Sequence, residues 1–269
     1  MGQTSPSNTG TYIYCVAPAQ AFEKNGSSLV ATPGIGGRDK PVRLLTSDDL
    51  AAVVSDAPRD DYDITRENLL AHQRVITQAM TRSDVLPVAF GTVAESDQQV
   101  QERLLHGAAD ELHRALATVR GRIELELKVL WNEERVFAEI VAENEDIRVL
   151  RDSLAGQPSE VTRDERIELG QLVAAAIQRK SEAEAAALLD ALKPLAVETR
   201  VNKNLGDMLL LNAAFLVDKS QEQAFDAKVQ ALGEAQAGRQ IFQYVGPLAP
   251  YNFVDIKLRW EDKPNGSAD

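Results

Sequence analysis

The chemically capable residues of this chain are three histidines, one cysteine and a glycine-rich stretch. Thr32-Pro33-Gly34-Ile35-Gly36-Gly37-Arg38 has the composition of a phosphate-binding loop. Such a loop needs a strand before it and a helix N-terminus after it, so that free N–H groups converge on the anion. Pro41 and a strand pattern follow instead, and the stretch reads as a flexible loop. His106 and His113 lie on one helical pattern with Asp110 between them. Seven helical residues separate them by about 10 Å along the axis, too far to share one ion. Further ligands would have to come from other elements, so both read as boundary histidines on the surface. His72 sits nearer the apolar side of its helix. A catalytic base needs a nucleophile or acid partner, and the sequence nominates none, so a hydrogen bond from helix to sheet is the expected role. Cys15 lies mid-strand without a flanking charge to lower its pKa, and reads as core. No catalytic, cofactor-binding or metal-ligating set is assigned.

The elements that position these residues belong to an ordinary globular composition. The 269 residues suffice for one large or two ordinary domains, and 44% are hydrophobic against 26% charged. The net charge is 29 − 41 = −12. Without a segregated basic cluster, such a chain repels nucleic acid and anionic lipid, so neither is expected as a partner. A single cysteine allows no internal disulfide and fits a reducing compartment. Met1 to Gly10 is polar and lacks the apolar core of a signal peptide. No run approaches the roughly 20 apolar residues of a membrane helix. A cytosolic protein, or one joining an assembly made in the cytosol, is expected.

Along the chain, residues 1–10 read as disordered. A first α+β domain is expected over residues 11–119. It opens with a strand at Tyr12–Ala17, with short strands at Leu29–Ala31, Val42–Leu45 and Leu50–Val54. An amphipathic helix spans Ile64–Met80, with Thr65 as N-cap and Asn68 in the capping-box position. A strand at Val85–Val93 and a helix at Asp97–Val119 complete it.

Gly121 marks the boundary of a second domain, residues 120–254. Ile123, Leu125, Leu127 and Val129 alternate with charged residues, so a half-buried strand is expected from Arg122 to Trp131. A helix from about Glu133 to Leu154 and another from Glu160 to about Lys193 follow. Lys180 and Glu184 interrupt the apolar face of the latter, so residues 133–193 are expected to project as a helical arm with a partly wet seam. Strands at Val197–Val201 and Met208–Val217, a helix from Ser220 to about Ala235 and a strand at Gln240–Val245 close the series. The order β, long α, β, β, α, β is the split βαβ of a ferredoxin-like sandwich, with the first and third strands central. Gly246 and Pro247 are expected to end the last strand, and Pro250, Tyr251 and Phe253 to pin the following corner against the second domain. Residues 255–269 read as a mobile tail.

Three stretches carry a resemblance. Gly246-Pro247-Leu248-Ala249-Pro250-Tyr251-Asn252-Phe253-Val254 resembles the C-terminal signature of the gas-vesicle F/L family (GvpF/GvpL). Arg66-Glu67-Asn68-Leu69-Leu70-Ala71-His72-Gln73-Arg74-Val75-Ile76 and Val85-Leu86-Pro87-Val88-Ala89-Phe90-Gly91-Thr92-Val93 match the family in its own order. With the Tyr12-Ile13-Tyr14 strand, the likeness runs from about residue 11 to about residue 255. Family members usually carry an aromatic residue at the Leu248 position, a proline at Ala249 and an arginine at Ala89. The motif residues Arg66, Asn68, His72, Leu86, Pro87, Phe90, Gly91, Gly246, Pro247, Pro250, Tyr251 and Phe253 are expected to be structural. The resemblance implies two α/β domains and a non-enzymatic accessory or minor structural protein of gas vesicles. It implies a role in vesicle assembly or nucleation, through binding the shell protein and other accessory gas-vesicle proteins. A small-molecule-binding regulatory protein built on ferredoxin-like domains is the alternative, and an enzyme ranks third.

Overall fold

The computed structural model describes residues 9–23, 33–35, 37–58, 63–203, 206 and 208–254. The expected disorder before Thr9, the short strand at Leu29–Ala31 and the tail from Asp255 lie outside the described residues. The described residues fall in two compact units. One takes in those of Met1–Glu124 and Pro247–Asp269, the other those of Leu125–Gly246. Residues 247–254, expected to close the second domain, therefore belong with the first unit.

The first unit is built on an antiparallel sheet. β1 (Thr9–Pro18) is followed by a short helix, α1 (Gln20–Glu23), and a small hairpin of β2 (Pro33–Gly34) and β3 (Gly37–Pro41). A strand, not a helix, thus follows the glycine-rich stretch. β4 (Arg43–Ser47) and β5 (Leu50–Pro58) complete an order β4-β5-β1, and Thr9 and Gly10 already belong to β1. A bulge shifts the β1–β5 register between Ile13 and Cys15. The extra residue switches the alternation, so Tyr12 and Tyr14 share a face with Cys15 and Ala17, while Ile13 and Val16 face the other way.

Each face has its own core. α2 (Arg66–Met80) covers the tyrosine face with His72, Val75, Ile76 and Ala79. Its N-cap Thr65 accepts the Asn68 N–H, and Asn68 Nδ2 donates to the Asp63 carbonyl at 3.0 Å. The strand expected over Val85–Val93 is instead two fragments beside β1, β6 (Leu86–Pro87) and β7 (Val93–Ala94). Pro87 cannot donate to a ladder, and Gly91 turns the chain at φ +83°.

The opposite face meets the segment expected as one helix from Asp97 to Val119. It comprises α3 (Asp97–Gln99), a π-helix (Val100–His106) and α4 (Ala109–Val119). The wider turn brings Val100, Leu104 and Leu105 into the core together, and Leu112, Leu116 and Val119 continue the stripe. At the break, a Cβ on Gly107 would stand 2.8 Å from the Arg103 carbonyl oxygen.

In the second unit β8 (Arg122–Trp131), β9 (Glu198–Val201), β10 (Leu209–Asp218) and β11 (Gln240–Leu248) form a four-stranded sheet of order β11-β8-β10-β9. The first and third strands are central. The end of β8 meets the starts of β10 and β11, through Trp131 N–H to Met208 O and Asn132 N–H to Arg239 O, so both run antiparallel to it. Gly246 and Pro247 do not end β11. The strand continues to Leu248, which an edge position permits because proline's missing N–H can face away from the ladder. α8 (Glu222–Ala235) packs Phe225 between Phe215 at 5.0 Å and Tyr244 at 6.2 Å between ring centroids.

The helical stretch expected from Glu133 to Leu154 breaks at Asn144, whose backbone is extended, into α5 (Glu133–Glu143) and α6 (Glu145–Leu154). α7 runs from Arg163 to Leu192. Lys180 and Glu184 dock the helix through ion pairs whose side chains stay partly exposed. Arg239 donates to both oxygens of Glu139 at 2.7 Å, and also binds Glu184. Trp131 Nε1 and Gln240 Nε2 donate to the same Glu184 oxygen at 2.8 and 2.9 Å. Lys180 pairs with Glu143 at 2.9 Å and Glu139 at 3.2 Å. The Arg239 guanidinium holds the Glu139 carboxyl below the usual carboxylate range. From Ala176 onward α7 is packed at Ala176, Leu188 and Leu192, whereas residues 163–175 contain no buried position.

Glu184→Ala should therefore cost about 2–3 kcal/mol, because it strips the acceptor from Trp131, Gln240 and Arg239 at once. Urea denaturation checks this. A loss no larger than that of an exposed pair such as Arg151–Asp152 would show that the cluster does not anchor α7.

Candidate functional site

The quoted motifs meet at one place in the first unit. β1 points Tyr12 and Tyr14 at α2, their rings 4.9 Å apart. α2 turns His72 back toward them, and its ring is buried. His72 Nδ1 lies 3.0 Å from the Tyr12 hydroxyl, and Nε2 lies 3.1 Å from the Tyr251 hydroxyl. The Tyr12 hydroxyl also accepts the Gly91 N–H at 2.9 Å. Its own proton can then go to Nδ1, which leaves His72 with its N–H on Nε2, toward Tyr251. Phe90 stands edge-on to Tyr12 and His72 at 6.5 and 5.7 Å. Tyr14 completes the cluster: its oxygen accepts the Ile35 N–H at 2.7 Å and lies 2.9 Å from Ser55 Oγ.

The C-terminal segment is held at a second point. Ala249 and Phe253 are buried, and the Pro250–Phe253 turn presents Asn252 to Glu124. The Asn252 backbone N–H donates to Glu124 Oε2 at 2.8 Å, and its side-chain amide to Oε1 at 2.6 Å. Glu124 is 0% exposed, a correction to the alternation that put it on the solvent face of β8. Charge alternation alone could not reveal it; the signal was the polar Asn252 between two rings.

The remaining motif residues divide. Leu86 and Pro87 pair with Val16 and Cys15, and Pro250 is buried. Asn68 caps α2. Arg66, Gly246 and Pro247 are exposed and take no part in the cluster. His106 is exposed on the π-helix, and His113 Nε2 lies 3.0 Å from Asp49 on the surface. The structure does not bring either near His72.

Burial sets the electrostatics. It lowers the His72 pKa to about 4 against the opposing pull of a Val88 backbone hydrogen bond. Burial also pushes the Tyr14 and Tyr251 hydroxyls and the Cys15 thiol up. At neutral pH the cluster is uncharged, suited to fixing three chain segments rather than to exchanging protons. Among the described residues no group of three or more His, Cys, Asp or Glu side chains could hold a metal ion, and no helix is long and apolar enough to cross a membrane.

This architecture has known counterparts. The family model described as "Gas vesicle synthesis protein GvpL/GvpF" matches residues 10–255. Gas vesicle protein F of Streptomyces sp. (strain CB03234) is 33% identical over 248 residues, covering 91% of this chain and 99% of that protein. Gas vesicle protein F of Dolichospermum flosaquae is 25% identical over 248 residues, covering 91% and 97%. The crystal structure of GvpF from Anabaena sp. PCC7120 superposes with a TM-score of 0.80 at 26% identity, covering 93% of this chain and 99% of that one. A family match over nearly the whole chain marks a gas-vesicle accessory protein. The chain belongs to the GvpL/GvpF family.

Two measurements test the cluster. Tyr251→Phe removes one neutral hydrogen bond and should lower stability by about 1 kcal/mol, whereas Tyr251→Ala should cost about 3 kcal/mol or more. Equal losses would show that the hydroxyl contributes nothing. The unfolded imidazole binds a proton below its ordinary pKa of 6.5, and the folded one resists until about pH 4. Stability contributed by neutral His72 is thus complete above about pH 6.5 and is lost as the pH falls toward 4, about 3 kcal/mol in all. His72→Phe should flatten the upper part of that slope; an unchanged slope between pH 6.5 and 5 would refute the assignment.

Proposed function

We propose that this chain acts by binding rather than by turnover, as an accessory or minor structural protein required for gas-vesicle assembly or nucleation. The observation that carries the reading is the family match over residues 10–255. Its partners are the hydrophobic shell protein and other accessory gas-vesicle proteins, and its place is the vesicle or the cytoplasm in which vesicles are made. The Leu125–Gly246 unit is read as a ferredoxin-like split βαβ sandwich, with α5, α6 and α7 as its helical excursion. The neutral cluster around His72 serves as scaffold for the motif residues. The net charge of −12 keeps the chain in solution, while apolar strips can meet a subunit that would otherwise aggregate. The outer part of the excursion offers exposed Val149, Val161 and Ile167 for such contacts.

The test is a pull-down of purified shell protein, and separately of accessory gas-vesicle proteins, by the full chain and by a variant shortened in α6 and the first half of α7. The full chain should capture the shell protein, and the shortened one should fold and capture less. Deleting the chain from a vesicle-forming host should leave few or no vesicles. Normal vesicle number and shape, with no second F/L-type protein present, would sink the proposal.

A further inference from the structure

The sheet of the second unit ends in an edge with few defences. β11 is the outer strand of the order β11-β8-β10-β9, and among the described residues no strand pairs with its free side. Natural edges are blunted by charge, by shortness or by proline within the strand. β11 has nine residues and no charged one, and its proline, Pro247, stands next to its end. Ile241 and Val245 are 54% and 52% exposed. In a chain of net charge −12, this is a stretch where two copies can approach without like charges opposing each other.

The residue pattern is also self-complementary. Ile241-Phe242-Gln243-Tyr244-Val245 reads aliphatic, aromatic, amide, aromatic, aliphatic from either end. Antiparallel pairing about a twofold axis at Gln243 sets Ile241 opposite the copy's Val245 and Phe242 opposite the copy's Tyr244, with the two Gln243 residues facing each other. The faces agree as well. Tyr244 stacks on Phe225, and Phe242 lies against Gly233, so both rings project toward α8. Ile241, Gln243 and Val245 project from the other face, where two aliphatic pairs would flank an amide pair. The nearby Asp226 carboxylate on α8 accepts the Tyr244 hydroxyl.

We propose that this chain self-associates through β11, two copies joining their four-stranded sheets edge to edge into one continuous antiparallel sheet. The occupant of the edge is a second copy, because the strand carries its own complement and no charge that would select another partner.

Sedimentation equilibrium of the full chain should show a monomer–dimer equilibrium that shifts to dimer through the micromolar range. Ile241→Lys places a cation at an exposed position, so it should leave the circular dichroism unchanged and return the chain to monomer. Gln243→Cys reads the register. Directly opposed residues of an antiparallel pair have Cα atoms about 4.5–5.5 Å apart, within the span of roughly 4.4–6.8 Å that a disulfide bridges. Mild oxidation should then give a covalent dimer. Cys15 is 0% exposed and stays silent, and Lys228→Cys on the outer side of α8 should stay monomeric. A monomer at every concentration would overturn the proposal, as would a dimer that survives Ile241→Lys. Crosslinking no greater at position 243 than at 228 would overturn the register.

Discussion

One imidazole sets the terms for the first unit. His72 reaches residues 60 and 179 positions away in sequence, Tyr12 on one side and Tyr251 on the other. A buried ring with two nitrogens must satisfy both, and the Tyr12 hydroxyl it meets has a second obligation. Tyr12 already accepts the Gly91 N–H, so moving any member unsettles the turn between β6 and β7. The bulge in β1 belongs to the same constraint: it holds Tyr14 and Cys15 on the α2 face together and makes room for three rings around one histidine.

Much of this was open to reading in the residues, and the failures have physical causes. Alternation locates β8, because burial of one face demands period two, whereas β10 stands out as a continuous apolar run that is buried on both faces. Thr65 marked the start of α2 because a β-region residue with a hydroxyl can satisfy an orphan amide. The π-helix escaped notice, since a single inserted residue barely alters an apolar stripe, and only Gly107 hints at a crowded carbonyl. Glu124 was misplaced because a carboxylate reads as solvent-facing until its two amide donors, more than a hundred residues later, are known. The histidine cluster was half visible: each motif stood out, but no local pattern states that distant motifs share hydrogen bonds.

The second unit solves a different problem. A thirty-residue helix rich in alanine and glutamate has no apolar face broad enough to fix it along its length. Packing secures its latter half at Leu188 and Leu192, and charge secures its middle, where Arg239 and Lys180 gather Glu139, Glu143 and Glu184. Lys180 and Glu184 looked like interruptions because the partners that neutralise them come from α5 and from the turn before β11. Ionic contacts are directional where apolar ones are not, and so they fix the helix's rotation about its axis as well as its position.

The segment Pro247–Val254 gives the chain a property in time. Because the first unit includes residues from both sides of the second in sequence, the ribosome makes the whole second unit before it delivers Tyr251 and Asn252. Until then Glu124 waits for two of its amide donors and His72 for one of its hydroxyls. Domains that fold in order of synthesis are finished as they emerge, but this one is closed only by residues made after the whole second unit. A prematurely terminated chain can therefore carry every helix and strand of its N-terminal half and still lack the groups that seal it.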